Sequence, residues 1–160
     1  MQEMGTYINV LITSLKKKIS ILESYDKILL EEEAILKRKD KTMEEIEEKE
    51  NKKKEYLKVL EQADEGFETV YNRVKEELEH NKNAYETEIK TMQGLIKKIT
   101  DYTVKIKAQE VRNKQMMELF FQQKKQEIRA YKNNQKTAKN YTNYMTNQVG
   151  GQSFFVDNKR

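Results

Sequence analysis

The sequence predicts an all-α fold: an elongated antiparallel bundle of three to four long, coiled-coil-like helices with a flexible C-terminal tail. Three observations predict it. The chain has 160 residues with no Pro, no Trp, no Cys and only 5 Gly, and 36% of it is charged, which is the composition of long Lys/Glu-rich helices. Strand formers do not alternate with polar residues over any useful length. Finally, stepping by seven from Ile8 to Phe120 gives a row in which fourteen of seventeen residues are apolar or aromatic, the exceptions being Glu50, Asp64 and Asn113. The row three positions on is apolar in only nine of seventeen, so the second row of the stripe leaks.

One helix over that whole span would be about 170 Å long, and folding back buries the same stripe against itself. The breaks predict the elements. Helix 1 covers about 3–37 and ends where Arg38-Lys39-Asp40-Lys41 lacks any apolar residue. Asp40 is placed to cap helix 2, about 41–63, whose Glu44, Glu45, Glu47 and Glu48 suit the positive end of a helix dipole. Asp64 on a core position, followed by Gly66, predicts a second break. Helix 3 follows at about 65–80, and His80-Asn81-Lys82-Asn83 forms a weaker third break before helix 4 at about 83–132. Gly94 is expected inside that helix. A helical domain therefore spans 1–132.

Residues 133–160 differ in kind. They are rich in Asn, Gln and Thr, contain Gly150-Gly151, and hold Asp157 as their only acid. Such composition predicts a mobile tail. It nevertheless keeps Tyr141, Tyr144, Phe154 and Phe155, which suits short docking motifs. Residues 1–131 are neutral, with 26 Lys/Arg against 26 Asp/Glu, so the net charge of +4 resides in the last 29 residues. A whole-protein nucleic-acid argument from basicity is thereby weakened.

The chemistry of catalysis is not in evidence. His80 is the only histidine and has no Cys or second His with which to ligate a metal, so it reads as a surface or turn residue. No phosphate-binding glycine loop and no nucleophile signature occurs. Glu31-Glu32-Glu33, Glu44-Glu45, Lys16-Lys17-Lys18 and Lys52-Lys53-Lys54 read as solvated helix faces. The expectation is a chain with no catalytic residues, no metal and no cofactor, binding neither small molecules nor nucleic acid. Apolar runs are too short to span a bilayer, and Met1–Gly5 does not start like a secretory signal, so a cytoplasmic location is expected.

Two apolar clusters are wider than a core stripe needs. Tyr7, Ile8, Val10, Leu11 and Ile12 cover an arc of about 200° at 100° per residue, and Met116, Met117, Leu119, Phe120 and Phe121 cover the same arc. One reading has the two clusters meeting, as the first and last ends of an up-down-up-down bundle would. The other makes the excess a groove for a partner's amphipathic helix. Met116, Met117, Leu119, Phe120 and Phe121 are then candidate partner-binding residues, together with Tyr141, Tyr144, Phe154 and Phe155.

Several stretches resemble the FlgN-type flagellar export chaperones of bacteria. They are Asp64-Glu65-Gly66-Phe67-Glu68 with Val70-Tyr71-Asn72-Arg73-Val74-Lys75-Glu76-Glu77-Leu78, and Met92-Gln93-Gly94-Leu95-Ile96 leading through Ile99-Thr100 to Ala108-Gln109-Glu110-Val111-Arg112-Asn113-Lys114. The tail is similar in Lys136–Met145 and Phe154–Arg160. The resemblance implies a cytoplasmic helical chaperone, without catalysis or cofactor. Its implied partners are hook-associated, hook-filament junction proteins and export-gate components, engaged through the C-terminal part. A monomer or weak dimer is expected. The alternative is a coiled-coil structural adaptor that only self-associates.

Overall fold

The computed structural model describes residues 2–134, with side chains placed over 4–132, and the tail lies outside them. The described residues form three helices and no strand: α1 (Gln2–Leu36), α2 (Met43–His80) and α3 (Glu86–Asn134). At 1.5 Å per residue the 49 residues of α3 span about 73 Å.

The α1–α2 connection falls where the sequence lacks apolar residues, but its cap differs from the expectation. Thr42, not Asp40, caps α2: its side chain accepts from the Glu45 N–H while the Glu45 carboxylate accepts from the Thr42 N–H. This reciprocal box satisfies two N–H groups that the first turn leaves open. Asp40 stands two residues too early for that and pairs with Arg38 instead.

The expected break at 62–66 does not occur, and helices 2 and 3 of the sequence reading are one element. Gly66 costs a helix interior only about 1 kcal/mol relative to Ala. Asp64 is turned to the surface, where it pairs with Lys18 of α1 at 2.7 Å. Packing of Phe67, Val70 and Val74 on α1 just beyond outweighs so small a propensity cost. The weaker candidate, at 81–85, is the real turn. Asn81 ends α2, its N–H bonding the Glu77 carbonyl, and the Ala84 N–H closes back on the Asn81 carbonyl.

Contacts run between α1 and each of the other two helices. α2 returns antiparallel along α1: Ile46 packs with Leu36 at one end, and Val74 and Leu78 with Ile8 and Met4 at the other. α3 then runs parallel to α1. Ile8 and Leu15 share a cluster with Met92, Leu22 and Leu29 with Ile106, and Leu36 with Phe120. These are members of the same seven-residue row, eleven or twelve repeats apart, so the unbroken phase of the stripe places α1 and α3 in register. Being packed on two flanks, α1 buries Ile8 and Leu11 and half-buries Tyr7 and Ile12, which takes up most of the apolar width around Tyr7–Ile12, while Val10 at its edge stays exposed.

Candidate functional site

One turn before the end of α1, between the apolar cluster around Leu29 and the one around Leu36, the bundle is closed by a polar layer drawn from all three helices, at the positions where the apolar rows fail. Glu32 of α1 is 0% exposed. Its Oε1 accepts from Lys53 Nζ of α2 at 3.0 Å and from Asn113 Nδ2 of α3 at 3.1 Å. Lys53 also pairs with Glu50 at 2.5 Å. The Asn113 amide donates a second bond, at 2.9 Å, to the Leu29 carbonyl of α1, and its oxygen accepts from Gln109. Gln109 in turn bonds Glu33, and Tyr25 donates to Glu110.

Two carboxylates and one ammonium enclosed together leave a surplus of negative charge. Burial pushes the Glu32 carboxyl up to about 7, against the pull of Lys53 and with added repulsion from Glu50. Burial alone would lower the Lys53 ammonium, but Glu32 and Glu50 outweigh it and hold it above its ordinary value. Tyr25 is likewise held above its ordinary value, by burial and then by its bond to Glu110. The sequence reading missed this layer by taking Glu31-Glu32-Glu33 and Lys52-Lys53-Lys54 as solvated faces, whereas the central member of each run is buried. The signal was present in the exceptions to the rows: Glu50 and Asn113 in one, Glu32, Lys53 and Gln109 in the other.

The candidate partner-binding residues separate on inspection. Met117, Phe120 and Phe121 are enclosed with Leu36 and Ile46, and Met116 is half-buried at the edge of that cluster. The free bundle therefore covers them with its own helices. Leu119 points away from the bundle. The N-terminal cluster packs on Val74, Leu78 and Met92, so the two apolar clusters lie at opposite ends and do not meet. With three helices, the start of α1 lies beside the start of α3, not its end. Tyr141, Tyr144, Phe154 and Phe155 lie outside the described residues. His80 is exposed and is the last residue of α2.

Between the C-terminal half of α2 and the start of α3 lies a groove of about 480 Å3, lined by Phe67, Tyr71, Leu78, Ile89, Met92 and Ile96 and by charges of both signs, Lys75, Lys82 and Lys90 with Glu79 and Glu86. Phe67 and Tyr71 stack there, their ring centres 6.0 Å apart and their planes 8° from parallel. A smaller cavity of about 250 Å3 opens beside the polar layer, between Tyr25, Glu50, Lys53, Leu57, Glu110 and Lys114. Among the described residues no group of three His, Asp or Glu side chains could hold a metal, and no helix is long and apolar enough to cross a membrane.

Compared with known proteins, the chain is matched by no family model, no curated protein and no solved structure.

Proposed function

We propose that this chain is a non-enzymatic, cytoplasmic chaperone of flagellar type III export. In this reading it binds hook-associated, hook-filament junction subunits, keeps their helical ends from associating early, and delivers them to the export gate. One observation carries the reading. The two stretches of the body that resemble FlgN-type chaperones, Asp64–Leu78 and Met92–Lys114, fall on α2 and α3, and the first along its length and the second at its beginning line the same groove. A groove walled by aromatic and Met side chains suits a helical client, because such side chains adapt to different apolar ridges.

The helix packing is read as coiled-coil-like. The paired rows of α1 and α3 support this, as does Asn113 at a row position, since a buried Asn in such a seam fixes the register of parallel helices. The structural-adaptor reading shares that packing. It differs in expecting a large self-assembled particle, where the chaperone reading expects a monomer or weak dimer; light scattering after size exclusion separates them.

The test is recovery of the tagged full-length chain from its native cell. Hook-junction proteins are expected to co-purify, and a chain ending before Asn134 is expected to lose export of those proteins while keeping its fold. Truncation before Gly150 separates Phe154 and Phe155 from Tyr141 and Tyr144. Recovery of no flagellar protein, with normal export in a deletion strain, sinks the reading.

A further inference from the structure

The outer side of α3 carries a stripe that the bundle does not use. Val104, Val111 and Leu119 are 65%, 57% and 61% exposed. The positions between and after them on that face, Ala108, Gln115 and Gln122, are exposed and uncharged. Successive steps of four, three, four, four and three residues hold all six within roughly 80° of arc, over about 27 Å. Ile106, Asn113 and Phe120, on the opposite side of the helix, are the buried residues that face α1. Five solvent-facing turns without a charge are unexpected in a chain that is 36% charged. An elongated apolar strip of this kind marks a contact surface.

Charge says what would lie on it. α3 holds 11 Lys/Arg against 6 Asp/Glu, whereas α2 holds 7 against 13. Lys107 and Lys114 flank the stripe on one side, and neither forms an ion pair among the described residues; Arg112, on the other side, is engaged by Gln109. The acid between the two lysines, Glu110, is engaged inward by Tyr25, which leaves the exposed Glu118 as the acid on that flank, against two lysines. We propose that the outer face of α3 docks an acidic amphipathic helix of a partner protein, its apolar ridge on Val104, Val111 and Leu119 and its carboxylates on Lys107 and Lys114. The proposal rests on the chaperone reading for the origin of that helix, which is then the client's.

Two other occupants fit less well. Residues 135–160 hold four Lys/Arg against Asp157 alone, so the chain's own tail meets α3 with like charge. A second copy would offer its acidic α2, but the line joining the exposed Leu57 and Tyr71 is interrupted by Glu61, Asp64 and Glu68, leaving no continuous ridge.

The test uses the full chain and a designed, fluorescein-labelled helical peptide of about 20 residues, long enough to cover the stripe. It has Leu on one face and Glu on both flanks; a control replaces the Glu with Lys. Fluorescence anisotropy is expected to show saturable binding of the acidic peptide, at least about tenfold tighter than of the basic one, and weakening as salt is raised. Val104→Glu with Val111→Glu is expected to remove that binding, and Lys107→Glu with Lys114→Glu to weaken it about tenfold. Val104, Val111 and Lys107 are exposed and line no cavity, so their melting temperatures should be unchanged; Lys114 also lines the cavity beside the polar layer, so Lys107→Glu alone, with a smaller loss of binding, is the control for its change. Should the first pair unfold the chain, Val111→Gln alone serves, with a smaller loss expected.

No preference for the acidic peptide, or undiminished binding by the folded Val104/Val111 variant, overturns the proposal. So does a dimer of the free chain in sedimentation that dissociates in that variant, because the occupant is then a second copy. If the peptide fails while hook-junction proteins still co-purify, the docking face falls and the chaperone reading stands. If the peptide binds as expected while no flagellar protein is recovered, the reverse holds.

Discussion

Phe120 and Met117 illustrate how one side chain can read as a binding residue in sequence and be enclosed in the fold. Both lie against Leu36 and Ile46, with the Lys41 and Lys124 ammonium groups 5.1 and 5.7 Å from the centre of the Phe120 ring. Phe120→Ala is expected to cost about 3–5 kcal/mol and Met117→Ala about 2–5 kcal/mol, because each leaves a cavity that long helices cannot easily collapse around. Urea unfolding checks this, and a loss under about 1 kcal/mol for both would return the cluster to the surface. Leu119→Ala, one position away but exposed, should stay within about 0.5 kcal/mol.

Glu32 makes a different prediction. Its carboxyl is pushed up to about 7 from an ordinary value of 4.5, so the folded chain holds a proton there that the unfolded chain releases. The stability linked to that proton is complete below about 4.5 and is lost as pH rises through about 7. Glu31, Glu33 and Glu45 act in the opposite sense. Their partners, Lys49 for the first, Lys37 with Gln109 for the second and Arg38 for the third, hold them below the usual carboxylate range. Their stabilisation is lost as pH falls through that range. The melting temperature should therefore peak in mild acid and decline toward pH 8. Glu32→Gln should flatten the alkaline side of the curve and raise stability at pH 8, since the amide keeps an oxygen for Lys53 and Asn113 and adds no charge. A melting temperature that is flat across this range in the parent chain removes the case for a retained proton.

At the scale of the element, α2 and α3 each run through a glycine that does nothing for packing. A methyl group added at Gly66 or Gly94 would meet no atom within 4 Å. Each Gly→Ala change is expected to add about 0.4–1 kcal/mol by restricting the unfolded chain. The pair should add roughly twice that, because neither added methyl touches a neighbour through which the two sites could couple. Thermal unfolding measures the gain. A loss at Gly66 would revive the break that the sequence suggested there. Lys53→Met, by contrast, should destabilise α2 against α1 by about 3–5 kcal/mol, because it removes one member of a buried pair and leaves Glu32 and Glu50 without a counter-charge. Replacing Lys53 and Glu50 together by apolar residues should recover part of that loss, Glu32 still lacking its counter-charge, and such a double-mutant cycle isolates the Lys53–Glu50 pair.

For the whole molecule, the placement of charge follows the placement of helices. The acidic α2 and the basic α3 are held apart, each packed chiefly on α1. A near-neutral body thus has one acidic flank and one basic flank, a division that net charge conceals. All three apolar clusters draw on residues 4–121. A chain ending at Asn134 is accordingly expected to unfold in one transition, with its midpoint within a few degrees of the full chain's, followed by circular dichroism.

Much of this was determined by the sequence alone. Composition and the row from Ile8 to Phe120 establish helices, because a seven-residue apolar repeat has no other regular conformation in which its members share a face. The same row, kept in phase across both turns, contains the parallel register of α1 and α3. The tertiary structure alone decided three other matters. Gly66 and Asp64 look like a break, and packing on α1 overrides it, since a local propensity of about 1 kcal/mol is small beside the burial of several apolar side chains. Glu32, Lys53 and Asn113 look like defects of the stripe, and only their meeting across three helices makes them one hydrogen-bonded layer. Met117, Leu119, Phe120 and Phe121 read as one apolar face of a helix, and which of them is covered depends on the side where α1 packs: Met117, Phe120 and Phe121 are enclosed and Leu119 is left in water. A helical wheel records angles on one helix; the neighbour that buries one angle and leaves another in water is set by the path of the rest of the chain.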